Sequence, residues 1–169
     1  EVVLLAANLA VPPPVGIETI PTPTAGSMLD AALALEDVDV VLMAAAAADY
    51  RPAEALAAKR AKDDEAWTVR LEPTDDIARA LGARKRDGQV LVAFGAEHGE
   101  EGLARKRAML ETKNADLVVF NDVGRSDIGF DAAENEVVLI ARDGERVVGK
   151  ASKHRVAAAI LDEVERLLP

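Results

Sequence analysis

The chain has no cysteine among its 169 residues. Disulfides, thiol nucleophiles and most structural zinc sites are thereby excluded. Aromatic residues make up only 3%, so the core must be built from Ala, Val, Leu and Ile. No apolar run is long enough to span a bilayer. The apolar opening EVVLLAANLAV lacks the basic start of a secretion signal. Cations are in the minority: 20 Lys and Arg stand against 30 Asp and Glu, a net charge of −10. A generic nucleic-acid binder needs a cationic face, so that class is disfavoured. Neither nucleic acid nor a membrane is expected as a partner, and a cytoplasmic location is expected. An anionic small substrate requires a local cationic site working against the global field.

The length suits one domain, read here as residues 1–169. Four Val/Leu-rich runs without alternation read as strands covered on both faces: 1–7, 39–45, 89–96 and 115–122. Helical segments are expected at 24–36, 74–85 and 100–113. Thr74 is a candidate N-cap, and acids open the second and third of these segments, as the helix dipole favours. Asp143-Gly144 between two apolar runs predicts a hairpin over 135–150. In the last segment Val156, Ile160, Val164 and Leu167 share one face, with Ser152 as N-cap. The alternation predicts an α/β fold. It is Rossmann-like: a mainly parallel sheet with helices on both faces, ending in a β-hairpin plus helix.

Open α/β sheets bind ligands at the carboxyl ends of their strands. Four segments fall there. The first, AAAAADYRPAEALAAKRAK, puts Asp49 and Arg51 just beyond a strand and then gathers Lys59, Arg60 and Lys62. Arg51 precedes proline, which pushes it away from helix; an irregular crossing is expected. Its lysines suit phosphates, although a solvated alanine-rich helix explains them as well. The second, FGAEHGEEG, mimics a dinucleotide loop. Its Gly95, Gly99, Gly102 spacing is wrong, and Glu97, Glu100 and Glu101 would repel a pyrophosphate. A nicotinamide-dependent oxidoreductase is disfavoured on that ground. Phe94 could stack on a base or belong to the core. The third is EPTDDIA, explained fully by helix capping. The fourth, FNDVG, ends a strand with Asn121 and Asp122, which form a turn or line the crevice.

Taken in order, LAVPPPVGIETIPTPTAGSML, AAAAADYRP, KRAK, DDIA, VAFGAE, KNADLVVFNDV, IGFDAAENEVVLI and SKHRVAAAILDEV resemble phosphopantothenoylcysteine synthetase. In bacteria this is usually the C-terminal half of a bifunctional coenzyme A biosynthesis protein. The resemblance runs through almost the whole chain. It implies CTP-dependent ligation of 4′-phosphopantothenate with L-cysteine through an acyl-cytidylate, with Mg²⁺. It also implies a homodimer, with the ENEVVLI hairpin region as the expected interface, and fusion to or association with a flavin-dependent phosphopantothenoylcysteine decarboxylase. By position, Met43, Ala44 and Ala45 would pass under the nucleotide, and Asp49 would contact it. Lys59 would reach the reacting groups from a mobile loop. The segment Asp75, Asp76, Ile77, Ala78 would read the cytosine. Phe94 would line the nucleotide site, and Lys113 would reach the phosphates.

The chain also departs from the family. The K-x-K-K motif reads Lys59-Arg60-Ala61-Lys62. A second nucleotide lysine falls on Met109, where Lys106 or Arg107 could substitute. Asn-Pro-Asp becomes Thr74-Asp75-Asp76, and GFAAE becomes AFGAE. The family's first glycine-rich unit would precede Glu1, so the chain reads as N-terminally truncated. The alternative expectation is a catalytically impaired nucleotide-binding or structural module of the same fold.

Overall fold

A computed structural model describes residues 1–54, 56–124 and 133–169. They form two compact units. One comprises residues 1–32 and 46–77, the other residues 33–45 and 78–169. IGFDA of the hairpin motif lies outside the described residues.

The larger unit holds a five-stranded sheet. Its strands in spatial order are β3 (Val40–Met43), β6 (Val90–Glu97), β7 (Leu117–Asp122), β8 (Glu134–Ala141) and β9 (Gly144–Ser152). The first three are parallel, and β8 and β9 join antiparallel. This is the α/β sheet expected, with its terminal hairpin turning at Asp143-Gly144. Both faces are covered. On one, Val156, Ile160 and Val164 of α5 (Lys153–Leu167) pack on Val90, Val92, Leu117, Val119 and Leu139. Ser152 caps α5 by accepting a hydrogen bond from the Arg155 N–H. On the other, Met109 and Leu110 of α4 (Met109–Thr112) pack on Leu91, Ala93, Val118 and Phe120. Leu81 of α2 (Ile77–Arg84) and Leu103 of α3 (Gly99–Arg107) join them. The single helix expected over 100–113 is divided at Ala108 into α3 and α4.

A polar clamp fixes the starts of β6 and β7. The Leu91 N–H donates to Asp116 Oδ2 at 2.8 Å, and Asp116 N–H returns a bond to Leu91 O at 2.9 Å. Lys85, just past α2, reaches Asp116 Oδ1 at 2.7 Å and Asn114 O at 2.8 Å. Gly82 lets α2 sit on this turn. A Cβ there would lie 1.8 Å from the Lys113 carbonyl oxygen.

The smaller unit is made of short pieces. The run 1–7, expected as a strand covered on both faces, is instead β1 (Val3–Ala6), only partly buried and paired parallel with β2 (Glu18–Pro21) in a two-stranded ribbon. β2 lies within the proline-rich stretch and was not expected; a proline is tolerated at the edge of a two-stranded ribbon, where no ladder needs its N–H. Thr22 continues the ribbon by donating to Ala6 O at 2.7 Å. α1 (Ala25–Ala34) starts at a reciprocal cap. Ser27 N–H donates to Thr24 Oγ1, and Thr24 N–H to Ser27 Oγ, both at 3.0 Å. β4 (Tyr50–Pro52) and β5 (Leu71–Pro73) form a second, antiparallel ribbon. The alanine run before it is extended and exposed, not helical. Arg51, expected in an irregular crossing, is a strand residue opposite Glu72, with Nε 2.9 Å from Oε1. Among the described residues no helix is long and apolar enough to cross a membrane.

Asp116→Ala should lower unfolding stability by about 2 kcal/mol, since it strands the Leu91 N–H and the Lys85 ammonium. Urea denaturation measures this. An unchanged midpoint would show that the clamp holds nothing.

Candidate functional site

In the larger unit, β6 changes character halfway. Val90–Ala93 are buried, whereas Phe94, Gly95, Ala96 and Glu97 are partly exposed. The register sets Phe94 opposite Val119 and Ala96 opposite Asn121. Alternate residues share a face, so Phe94, Ala96, Val119 and Asn121 look toward the α5 side. Pro169, just after α5, lies beside Gly88 at the start of β6. The helix therefore begins at the carboxyl end of β6. There the Asn121 Oδ1 atom is buried and accepts no hydrogen bond; among the described residues it is the only such side-chain atom. Buried polar atoms without partners are rare, and one at a strand end calls for a ligand or a water. Asn121 was ambiguous in the sequence between turn and crevice. Phe94, partly exposed, lies on the same face, one register pair before Asn121.

Gly95, Glu97 and Asp122 look to the opposite face. Glu97 is held by two cations. Arg105 Nε lies 2.9 and 3.1 Å from its two oxygens, and Lys106 Nζ lies 3.1 Å from Oε2. The hydrogen bonds from Arg105 and then Lys106 hold its carboxyl down, at about 2 against an ordinary 4.5. The same bonds raise Arg105. Asp122 accepts from Gly99 N–H at 3.3 Å and Gly124 N–H at 2.9 Å. Glu97 of this glycine loop thus ties β6 to α3, and Asp122 of β7 holds the turn at Gly99.

The other expected residues of this unit are placed as follows. Met43 ends β3, half-buried, and Ala44 and Ala45 follow it exposed, with only methyl side chains in the way of an approach. Ala78 is buried in the first turn of α2. Met109 is 7% exposed in the core, which explains why no lysine stands there. Arg107 is drawn to Glu145 on β9. Lys113 caps the end of α4 that leads into β7.

In the smaller unit the ribbon brings two expected segments together. Thr74 N–H donates to Asp49 O at 2.9 Å, and the Thr74 hydroxyl donates to Ala48 O. Thr74 therefore closes the ribbon and does not cap α2, which begins at Ile77. Asp49, Asp75 and Asp76 are exposed, and Ile77 is buried. Lys59 is exposed in the segment between the strands. Its neighbour Arg60 is engaged, 2.8 Å from Asp63 and 5.0 Å over the Trp67 ring. Among the described residues no cluster of three His, Cys, Asp or Glu could enclose a metal.

The family model of the DNA/pantothenate metabolism flavoprotein C-terminal domain matches residues 1–168. The coenzyme A biosynthesis bifunctional protein CoaBC of Bacillus subtilis is 38% identical over 171 residues, covering 99% of this chain and 41% of that protein. Its counterpart in Mycolicibacterium smegmatis is 34% identical over 180 residues, covering 99% and 43%. This chain thus spans about two fifths of the relatives it matches. The solved C-terminal domain of a CoaBC superposes with a TM-score of 0.78 at 31% identity, over 99% of this chain and 74% of that one. A structure solved in complex with phosphopantothenate-cysteine shares the fold at a TM-score of 0.54 and 16% identity, over 76% of this chain and 44% of its own.

The Glu97 pairing has a pH signature. A carboxyl lowered on folding stabilises the fold fully above its unfolded value near 4.5 and loses that contribution as pH falls through about 2. A carbon NMR titration of the Glu97 carboxyl should give a midpoint near 2, rising in Arg105→Gln. A midpoint in the ordinary glutamate range would mean that the two cations do not hold it.

Proposed function

Because the chain belongs to the DNA/pantothenate metabolism flavoprotein C-terminal domain family, we propose that it joins 4′-phosphopantothenate to L-cysteine at the expense of CTP, in coenzyme A biosynthesis. The observation that carries the nucleotide half of this reading is the pair at the ends of β6 and β7. Phe94 is partly exposed at the end of β6, and on the same face of β7 the buried Asn121 Oδ1 has no hydrogen-bond partner. An aromatic face next to a carboxamide is a fitting receptor for a base carrying an exocyclic amine. The name of the relatives and the ligand of the distant structural neighbour support the rest.

The chemistry follows from the substrates. A carboxylate oxygen of phosphopantothenate attacks the α-phosphorus of CTP, and pyrophosphate leaves. The cysteine amine then attacks the activated carbonyl carbon. CMP departs with the carboxylate oxygen and the C–O bonding pair, and the nitrogen loses a proton to give the amide. Lys59 is assigned to offset the charge that develops on the phosphates. The segment Asp75–Ala78 is assigned to the cytosine, and Asp49 and Lys113 are assigned to the nucleotide. Met43, Ala44 and Ala45 leave room for it. Mg²⁺, which would draw charge from the phosphates, fits this chain only as an ion held mainly by phosphate oxygens and one or two carboxylates. Asp49 and Asp75, on segments tied by the Thr74–Asp49 bond, suit that role. The homodimer, the cytoplasmic location and the association with a flavin-dependent decarboxylase belong to the same proposal.

In the complete gene product, Lys59→Gln should lower kcat for amide formation by a factor on the order of 10² to 10³ with circular dichroism unchanged. Unaltered turnover would remove Lys59 from the mechanism.

A further inference from the structure

Two peculiarities of the sequence meet in space. Gly95 interrupts an apolar strand, and Lys106 follows on the helix after it. In the structure the Lys106 stem lies flat across Gly95. A Cβ on residue 95 would sit 2.5 Å from Lys106 Cδ, 2.7 Å from Cε and 3.3 Å from Cγ. Glycine inside a strand weakens it and marks a close approach. Here the approaching group is a lysine stem. The Lys106 stem can shift, so a Cβ at residue 95 would displace the lysine and leave the strand in place. Lys106 is only 19% exposed, and its course is set by contacts along the stem as well as at the head.

The head is paired with Glu97 at 3.1 Å. Glu97 takes both Lys106 and Arg105, and Arg105 alone meets both carboxylate oxygens. If Lys106 swings to another anion, Glu97 keeps a two-point partner. The neighbouring Asp122 is occupied by the Gly99 and Gly124 N–H groups. The other basic residues of the strand–helix pair are less suitable, since Arg105 serves Glu97 and Arg107 serves Glu145. Lys85 is fixed at the opposite end of the strands by Asp116.

We propose that Lys106 is a phosphate-binding residue at the carboxyl end of β6, with Gly95 as the seat that positions it and Glu97 as its resting partner. This rests on the ligase reading, which brings two phosphate-bearing substrates, CTP and 4′-phosphopantothenate. It also makes sense of an apparent loss: the core takes Met109, and the cation is supplied one turn earlier.

The test is calorimetry on the complete gene product with CTP, cytidine, 4′-phosphopantothenate and pantothenate. Lys106→Met should weaken one of the two phosphorylated ligands about tenfold or more, as loss of a charge-assisted hydrogen bond implies, and leave both unphosphorylated ligands unchanged. The ligand that weakens identifies the phosphate. Lys106→Arg should restore part of the affinity. Gly95→Ala should weaken the same ligand alone but add nothing in the Lys106→Met background, because it acts only through the displaced lysine. Equal binding of all four ligands by wild type and Lys106→Met would overturn the role of Lys106 while leaving the ligase reading intact. Failure of the wild type to bind either phosphorylated ligand would overturn both.

Discussion

The parallel pairing of β6 with β7 is the constraint on which the larger unit depends. Leu91, Val92, Ala93, Leu117, Val118 and Val119 are all almost completely buried, because helices cover both faces. Strands buried on both sides must be apolar throughout, and they can change character only where cover ends. That point comes at Phe94 on β6 and Asn121 on β7. At the opposite end Asp116 ties the two strands and Lys85 together, so the register is set by a charged clamp as well as by side-chain packing. The carboxyl ends are thereby held in one arrangement: Phe94 with Asn121 toward α5, Gly95 with Glu97 toward α3.

Each face of this pair presents different chemistry. The α5 side offers a ring and an unsatisfied amide oxygen. The α3 side offers cations in excess over the one carboxylate they share. A ligand with a flat heterocycle and a charged tail needs both kinds of contact. In a chain of net charge −10, the second kind must be built locally, and the glycine-seated lysine is one way to build it. Lys59, proposed for the same task, lies in a segment of the smaller unit where Arg60 is engaged by Asp63 and Trp67.

Much of the larger unit was legible in the sequence. Runs such as QVLVAFGA and ADLVVFND read as doubly covered strands, and Asp143-Gly144 between apolar runs as a hairpin turn. The ribbons β1–β2 and β4–β5 were less legible. Their strands are three or four residues long, and three of the four include a proline. They are held by a few ladder bonds between distant segments, which leave no periodic trace. Thr74 illustrates the limit. Its position before a helix suggested a cap, but its hydroxyl is taken by Ala48, 26 residues earlier. At the site, Phe94 and the two lysines Lys59 and Lys106 were visible as residue types. The orphaned oxygen of Asn121 was not, because its burial depends on a fold around it that a single sequence does not display. The same holds for Gly95: its presence was plain, and what approaches it was not.

The proposed reaction passes through an acyl-cytidylate formed from the carboxylate of phosphopantothenate. The most direct measurement starts from phosphopantothenate labelled with ¹⁸O in that carboxylate. The complete gene product is supplied with CTP and cysteine, and the CMP formed is examined by mass spectrometry. The account predicts one labelled oxygen in the phosphate of each CMP, stoichiometric with amide. Amide formed with unlabelled CMP, or with no CMP at all, would contradict it.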